Sequence, residues 1–167
     1  KLRGMVAGNW LENERLGEFC RTRGQQNLRR ALKAGETIPG DDLGPNHSFK
    51  PGFMWAAGID PIIPYAIRGT IWYQGESNGG RPQHYTELMT AVISNWRKAW
   101  DQGDFPFYWV QLADFKEETD TPQGGDWAYL REAQTDTLDT LENVGEAVII
   151  DVGEGRDIHP RNKQTVA

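Results

Sequence analysis

Three short apolar runs, "GTIWY" at residues 69–73, "FPFYWVQ" at 105–111 and "EAVIID" at 146–151, alternate with two longer segments of helical periodicity. No other feature constrains the fold as much. Continuous apolar runs of this length read as strands inside a sheet, and a strand that returns through a helix must pair in parallel with its predecessor. Between the first two runs, Tyr85, Leu88, Met89, Val92, Ile93, Trp96 and Trp100 recur at helical spacing. Between the second and third, Trp127, Leu130, Ala133 and Leu138 form another stripe, with Asp126 as the expected N-cap. A last helix is expected to open at Pro160, whose fixed φ suits a first turn. The order β-α-β-α-β-α predicts an α/β fold with a mostly parallel sheet, its strands covered on both faces.

The region before the first strand reads differently. Residues 11–34 have helix-favouring composition interrupted by Gly17 and Gly24, which predicts one broken helix or two short ones. "GETIPGDDLGPNHSFKPG" is a loop by its Gly, Pro, Asp and Asn content. "FMWAAGIDPIIPYAI", punctuated by Pro61 and Pro64, predicts a short helix and an extended approach to the strand. The chain is thereby divided into a helical and loop region, 1–50, and an α/β region, 51–167.

Composition narrows the partners. A net charge of -6 and a pI near 5.1 supply no dense basic field, so neither nucleic acid nor an anionic membrane surface is an expected partner. The single Cys20 excludes an internal disulfide and a multi-cysteine metal site. His47, His84 and His159 are scattered without an H-x-x-x-H pair, so a zinc site has little support. No apolar run approaches the roughly 20 residues that span a bilayer. "KLRGMVAGNW" lacks the features of a signal peptide and an initiator Met, and the chain is expected to begin inside a longer protein.

In parallel sheets, ligands bind outside the carboxyl ends of the strands. The groups that follow the three strand ends are Gln74 to Asn78, Asp114 with Phe115, and Asp151 to His159. His159 is a candidate general base, with Asp157 and Glu154 close in sequence to fix its tautomer. Those residue types fit a loop-bracing histidine equally well. The serines are Ser48, Ser77 and Ser94, none in G-x-S-x-G. Ser77 follows a strand but is equally a turn residue, and a complete Ser-His hydrolase does not assemble from these positions.

"GTIWYQGESN", "FPFYWVQLADF", "DWAYLREAQ" and "AVIIDVGEGRDIHPRNKQTVA", in that order over residues 50–167, resemble the sialate O-acetylesterase family. That family is the carbohydrate acetylesterase branch of the SGNH hydrolases. Residues 1–50 resemble the helical insertion that precedes its core. The resemblance implies a three-layer α/β/α, flavodoxin-like SGNH fold, acyl transfer through a serine ester, an acetylated carbohydrate substrate and no cofactor. It also implies that the nucleophile lies in an N-terminal "GQSN" block, and that a glycine-bearing block completes the oxyanion hole. This sequence contains neither. Residues 51–167 are therefore expected to be the C-terminal part of an esterase domain, incomplete at its N-terminus and partnered by the missing part. Ser77 is then not the nucleophile, and the isolated chain is expected to be inactive and prone to association.

Gln74, Gly75, Glu76 and Asn78 match the family block that holds the oxyanion and substrate; Glu76, an acceptor only, would orient neighbouring donors. His159 matches the base in "DIHP". The superfamily's acid position, three residues earlier, is Arg156 here. Asp157 is the first choice of acid, with Glu154 and Asp151 behind it and a Ser-His dyad as an alternative. The rival functions are a non-catalytic carbohydrate-binding module and a glycosidase using Glu76 and Asp114.

Overall fold

A computed structural model describes residues 8–116, 120–121, 124–159 and 161–166. The chain divides into two compact units, Lys1–Tyr65 and Ala66–Ala167.

The first unit is organised by Trp10. Its ring is fully buried with Leu28 and Leu43, and Leu11, Leu16 and Ile38 pack around them. The indole N–H donates to the Pro45 carbonyl at 2.8 Å. Helix α1, Glu18–Lys33, lies against this ring. It runs unbroken through Gly24, contrary to the interruption expected there. A Cβ at Gly24 would run into the Trp10 ring, so close packing offsets the ~1 kcal/mol that glycine costs within a helix.

The Gly/Pro segment that follows is not wholly irregular. Strands β1, Gly40–Asp41, and β2, Gly44–Pro45, make a minimal antiparallel hairpin. The buried Lys50 ammonium ties it down, donating to Asp41 Oδ1 at 2.5 Å, the Gly44 carbonyl at 2.8 Å and Asn46 Oδ1 at 3.0 Å. All three ammonium protons are thus used, as a buried charge requires.

The second unit is a three-stranded parallel sheet of β3, Thr70–Trp72, β4, Phe107–Val110, and β5, Val144–Ala147, in that spatial order. Helices α2, Tyr85–Trp100, and α3, Asp126–Asp136, form the two crossovers. Strand order follows chain order, so two crossovers of the same hand put both helices on the same face. Trp72 and Phe107 on that face both meet Trp96 of α2 edge-on, with centroids 5.9 and 6.1 Å apart.

The opposite face is open, which corrects the expectation of strands covered on both sides. Ile71 is 83% exposed and Tyr108 50% exposed. Helix α4, Lys163–Val166, reaches this face only near the strand ends, where Val166 packs with Val110, Ala113, Ile149, Tyr73 and Val152. Pro160, the expected start of the last helix, lies outside the described residues.

Three further corrections concern boundaries. The third strand lies earlier than 146–151, because register pairs Phe107 with Val144 and Val110 with Ala147. Ile149 then leaves the ladder for the core beside Val110 and Ala113. Asp126 is the first residue of α3 and Gly125 its N-cap, with no side-chain cap bond. Leu88 of the expected α2 stripe is exposed, while Tyr85, Met89, Ile93 and Trp100 are buried.

Arg97, in the last turn of α2, bolts the helix to the N-terminal ends of two strands. Its buried guanidinium donates to the Phe105 carbonyl from Nε and Nη2, and from Nη2 to the Glu142 and Asn143 carbonyls at 2.9 and 3.0 Å. Arg97→Met keeps the apolar stem but removes the donor from the Phe105 and Glu142 carbonyls, while the Asn143 carbonyl keeps the Phe107 N–H at 3.2 Å. It is expected to lower unfolding free energy by about 2 to 3 kcal/mol in urea titration, and a change below about 0.5 kcal/mol would contradict this role.

Candidate functional site

The chain leaves β3 through Tyr73 and turns sharply. Gly75 has φ of +155° and is buried; its Cα faces the Gln134 amide and the Leu112 side chain, 3.2 and 3.4 Å from where a Cβ would sit. Only glycine adopts that conformation readily. Glu76–Asn78 then form one 3₁₀ turn, closed by the Asn78 N–H donating to the Gly75 carbonyl at 2.7 Å.

Side chains in this turn hold each other. Gln74 Nε2 donates to Asn78 Oδ1 at 2.8 Å, which occupies the Asn78 carbonyl and leaves its amide N–H₂ without an acceptor among the described residues. Glu76 Oε2 accepts the Gly75 N–H at 3.0 Å. That carboxylate therefore braces the backbone and consumes the Gly75 donor. Ser77 is exposed, and among the described residues no serine hydroxyl is hydrogen-bonded to a histidine.

Behind the turn is a buried polar cluster. The Tyr85 hydroxyl donates to the Gln74 carbonyl at 3.1 Å, and Gln134 Nε2 donates to the same oxygen at 3.3 Å. Gln134 Oε1 accepts the Leu112 N–H at 2.9 Å. Burial is the largest influence raising the Tyr85 pKa above its ordinary value; contacts with Gln134 and Trp72 oppose the rise, and the charges of Glu76 and Glu146 add to it. The phenol thus stays a donor at neutral pH. The Trp72 indole N–H lies beside this hydroxyl and, among the described residues, reaches hydrogen-bond geometry with no acceptor.

The second group of expected site residues sits past β5. Residues 151–159 fold onto the segment that follows β4: the Lys116 N–H donates to the Gly155 carbonyl at 3.0 Å, and Gly153 packs directly on Asp114. A Cβ at Gly153 would overlap both the Asp114 carboxylate and its backbone oxygen. Asp114 Oδ1 is enclosed there without a hydrogen-bond donor among the described residues.

Asp157 and His159 are brought together. Asp157 Oδ1 accepts the His159 backbone N–H at 2.9 Å, and the imidazole Nδ1 is 3.9 Å from the same oxygen. The imidazole itself is 78% exposed. Glu154 is occupied otherwise, accepting the Arg161 N–H at 3.1 Å. Among the described residues Asp157 is the only carboxylate within 4 Å of the His159 ring. No hydrogen bond between described residues joins Gln74–Asn78 to Asp157–His159. Packing connects their neighbourhoods, since Tyr73 and Val152 share a core cluster and Lys163 Nζ lies 4.8 Å from the Tyr73 ring centroid.

Trp127 flanks the first group. Its indole N–H donates to the Ala113 carbonyl at 2.8 Å, its ring lies 5.2 Å from that of Phe115, and it faces Gly79. Gln134 and Tyr85 are the members of this region that residue-by-residue reading missed. Both sit at helix positions where a buried glutamine and a tyrosine read as part of a packing stripe. The open sheet face carries a groove of about 490 Å³ that contains none of the expected site residues and is walled by Ile71, Tyr73, Tyr108 and Val166. Among the described residues no group of three or more His, Cys, Asp or Glu is placed to hold a metal ion.

Comparison with known proteins agrees with the fold. The family model for carbohydrate esterases described as sialic acid-specific acetylesterase matches residues 56–159. Human sialate O-acetylesterase is 33% identical over 150 residues, covering 78% of this chain and 28% of the human protein. The mouse sialate O-acetylesterase is also 33% identical, over 132 residues covering 68% of this chain and 24% of its own length. A crystal structure of a carbohydrate acetylesterase from Xanthomonas citri superposes with a TM-score of 0.63 at 43% identity, covering 70% of this chain and 27% of that one. The chain thus spans about a quarter of the length of the relatives it matches. Residues 56–159 with their parallel α/β sheet place this chain in the sialic acid-specific acetylesterase family of carbohydrate esterases.

Proposed function

We propose that this chain supplies two walls of the active site of an enzyme that removes O-acetyl groups from carbohydrate, sialate-type sugars first among them. The observation that carries the reading is the Gln74–Asn78 amide pair, which fixes Asn78 with its N–H₂ uncommitted at the C-terminal end of a parallel strand. Such a donor, held before the reaction starts, is placed to bind the oxygen that becomes negative when an ester carbonyl is attacked. The names of the relatives support the substrate class, and the family match supports the type of reaction.

In this reading the nucleophilic serine comes from polypeptide outside these 167 residues. Ser48 and Ser94 are exposed and neither follows a strand of the parallel sheet, and among the described residues Ser77 has no histidine partner. His159 removes the serine proton as the hydroxyl oxygen bonds to the acetyl carbon. The carbonyl electrons move to the oxygen, which accepts N–H bonds from Asn78. Collapse expels the sugar oxygen, which takes the proton back from His159, and water then cleaves the acetyl-serine by the same route. Asp157 is the acid beside the imidazolium. The 3.9 Å separation leaves it an ion-pair partner in this structure, with a ring rotation needed for a hydrogen bond.

Three outcomes are expected. The 167-residue chain alone should not turn over 4-nitrophenyl acetate; robust turnover abolished by Ser77→Ala would overturn the assignment of the nucleophile. In a protein that joins this chain to its serine block, His159→Ala should reduce kcat by about 10²- to 10⁴-fold, whereas Ser77→Ala should stay close to wild type. Glycan binding without any acetate release by that protein would favour a binding module instead. Gly153→Ala, which drives a methyl group into Asp114, should lower stability by about 1 to 3 kcal/mol in thermal melts and reduce esterase activity with it.

A further inference from the structure

We infer that Gln134 is the positioning residue of this site: its side-chain amide spans the C-terminal ends of β3 and β4 and sets where the Gln74–Asn78 turn stands. The inference rests on the esterase reading above and adds a residue to it that touches neither substrate nor nucleophile.

Gln134 is fully buried in α3, yet its amide is engaged at both ends. Oε1 accepts the Leu112 N–H, just past β4, at 2.9 Å, and Nε2 donates to the Gln74 carbonyl, just past β3, at 3.3 Å. Ladder bonds no longer hold the two segments at this level, because register pairing ends at Trp72 with Trp109. Gly75 lies directly against the same amide nitrogen, and a Cβ there would be 3.2 Å from it. The side chain therefore bonds to the residue that carries the Asn78-holding amide and touches the glycine that turns the chain. Tyr85 shares the Gln74 carbonyl from the first turn of α2, so side chains from two helices converge on the oxygen that follows β3, and Gln134 ties it on to the segment after β4.

An apolar side chain of similar size would fill the space and lose both bonds. A carboxylic acid separates the roles. When protonated, it can accept from Leu112 and donate to Gln74, as the amide does; when ionised, it still accepts but repels the Gln74 carbonyl. Tyr85 on α2 shares the Gln74 carbonyl with Gln134, and Glu76 in the turn and Glu146 on β5 are the charged groups that act on Tyr85. The carboxylate charge that raises the Tyr85 pKa also favours the protonated form of an acid introduced beside it.

The test compares Gln134→Glu and Gln134→Met with wild type in the protein that carries both this chain and its nucleophile, on an O-acetylated sialoside. Gln134→Met should lower kcat roughly tenfold to a hundredfold at every pH with KM near wild type, the penalty for misplacing a donor by a fraction of an ångström to an ångström. For Gln134→Glu the ratio of its kcat to that of wild type should climb towards one as pH falls. A ratio independent of pH, or wild-type kcat in both variants, would overturn the role. Nuclear magnetic resonance gives a readout that needs no activity. The Gln74 carbonyl carbon shift should titrate in Gln134→Glu and stay flat in wild type; no titration would refute the brace even in a protein found to lack esterase activity. Absence of acetate release by wild type, with that shift titrating in the variant, would refute the esterase reading and leave the brace standing.

Discussion

Parallel strands laid down in chain order send every crossover of a given hand to the same side, and the second unit is shaped by that constraint. Helices α2 and α3 cover the face bearing Trp72, Phe107 and Trp109, and the face bearing Ile71 and Tyr108 is left largely bare. The same topology points the carboxyl ends of all three strands in one direction. Every turn after a strand must then emerge at the same rim, which is why Gln74–Asn78, Asp114 and the loop ending at His159 become neighbours in the fold while far apart in sequence. Helix α2 links the two rims. Arg97 in its last turn secures the N-terminal ends of the strands, and Tyr85 in its first turn reaches the carboxyl end of β3.

The two groups at that rim differ in how firmly they are built. Gln74–Asn78 are fixed by hydrogen bonds from three directions: within the turn, from Tyr85 and from Gln134. His159 is held mainly through its backbone, with its ring in solvent. In the proposed chemistry this division is reasonable. A donor that stabilises developing charge gains from being fixed beforehand, because reorganisation at the moment of reaction is avoided. A base that must collect and return a proton can take its final orientation from the nucleophile it serves.

Much of the fold is legible in the residues, and the misses have physical causes. The alternation of apolar runs and helical stripes is enough for a parallel α/β sheet, since only crossovers can connect such elements. The placement of β5 is not legible, because "AVII" looks more strand-like than "VGEA". Tertiary context selects the latter: Gly145 fits beneath the Tyr108 ring, and the Glu146 carboxylate accepts from Trp109 and Thr135. Gly24 reads as a helix breaker until the Trp10 ring is seen against it. The bare sheet face is also invisible to periodicity, because exposed Ile71 and half-buried Trp72 are equally apolar.

The candidate site was legible to the extent that its residues follow strands. Gln74, Asn78, Asp157 and His159 follow strand ends, where side chains of this type attract notice. Gln134 and Tyr85 do not, since their significance depends on which carbonyl and which amide lie opposite them. In the proposed chemistry this chain presents the oxyanion donor and the base to a serine located elsewhere in the polypeptide. A fluorophosphonate probe applied to the active protein, followed by peptide mapping, tests it most directly. A single labelled serine outside residues 1–167 is expected, with labelling diminished when His159 is replaced by alanine; label on Ser77 would contradict the proposed division of the site.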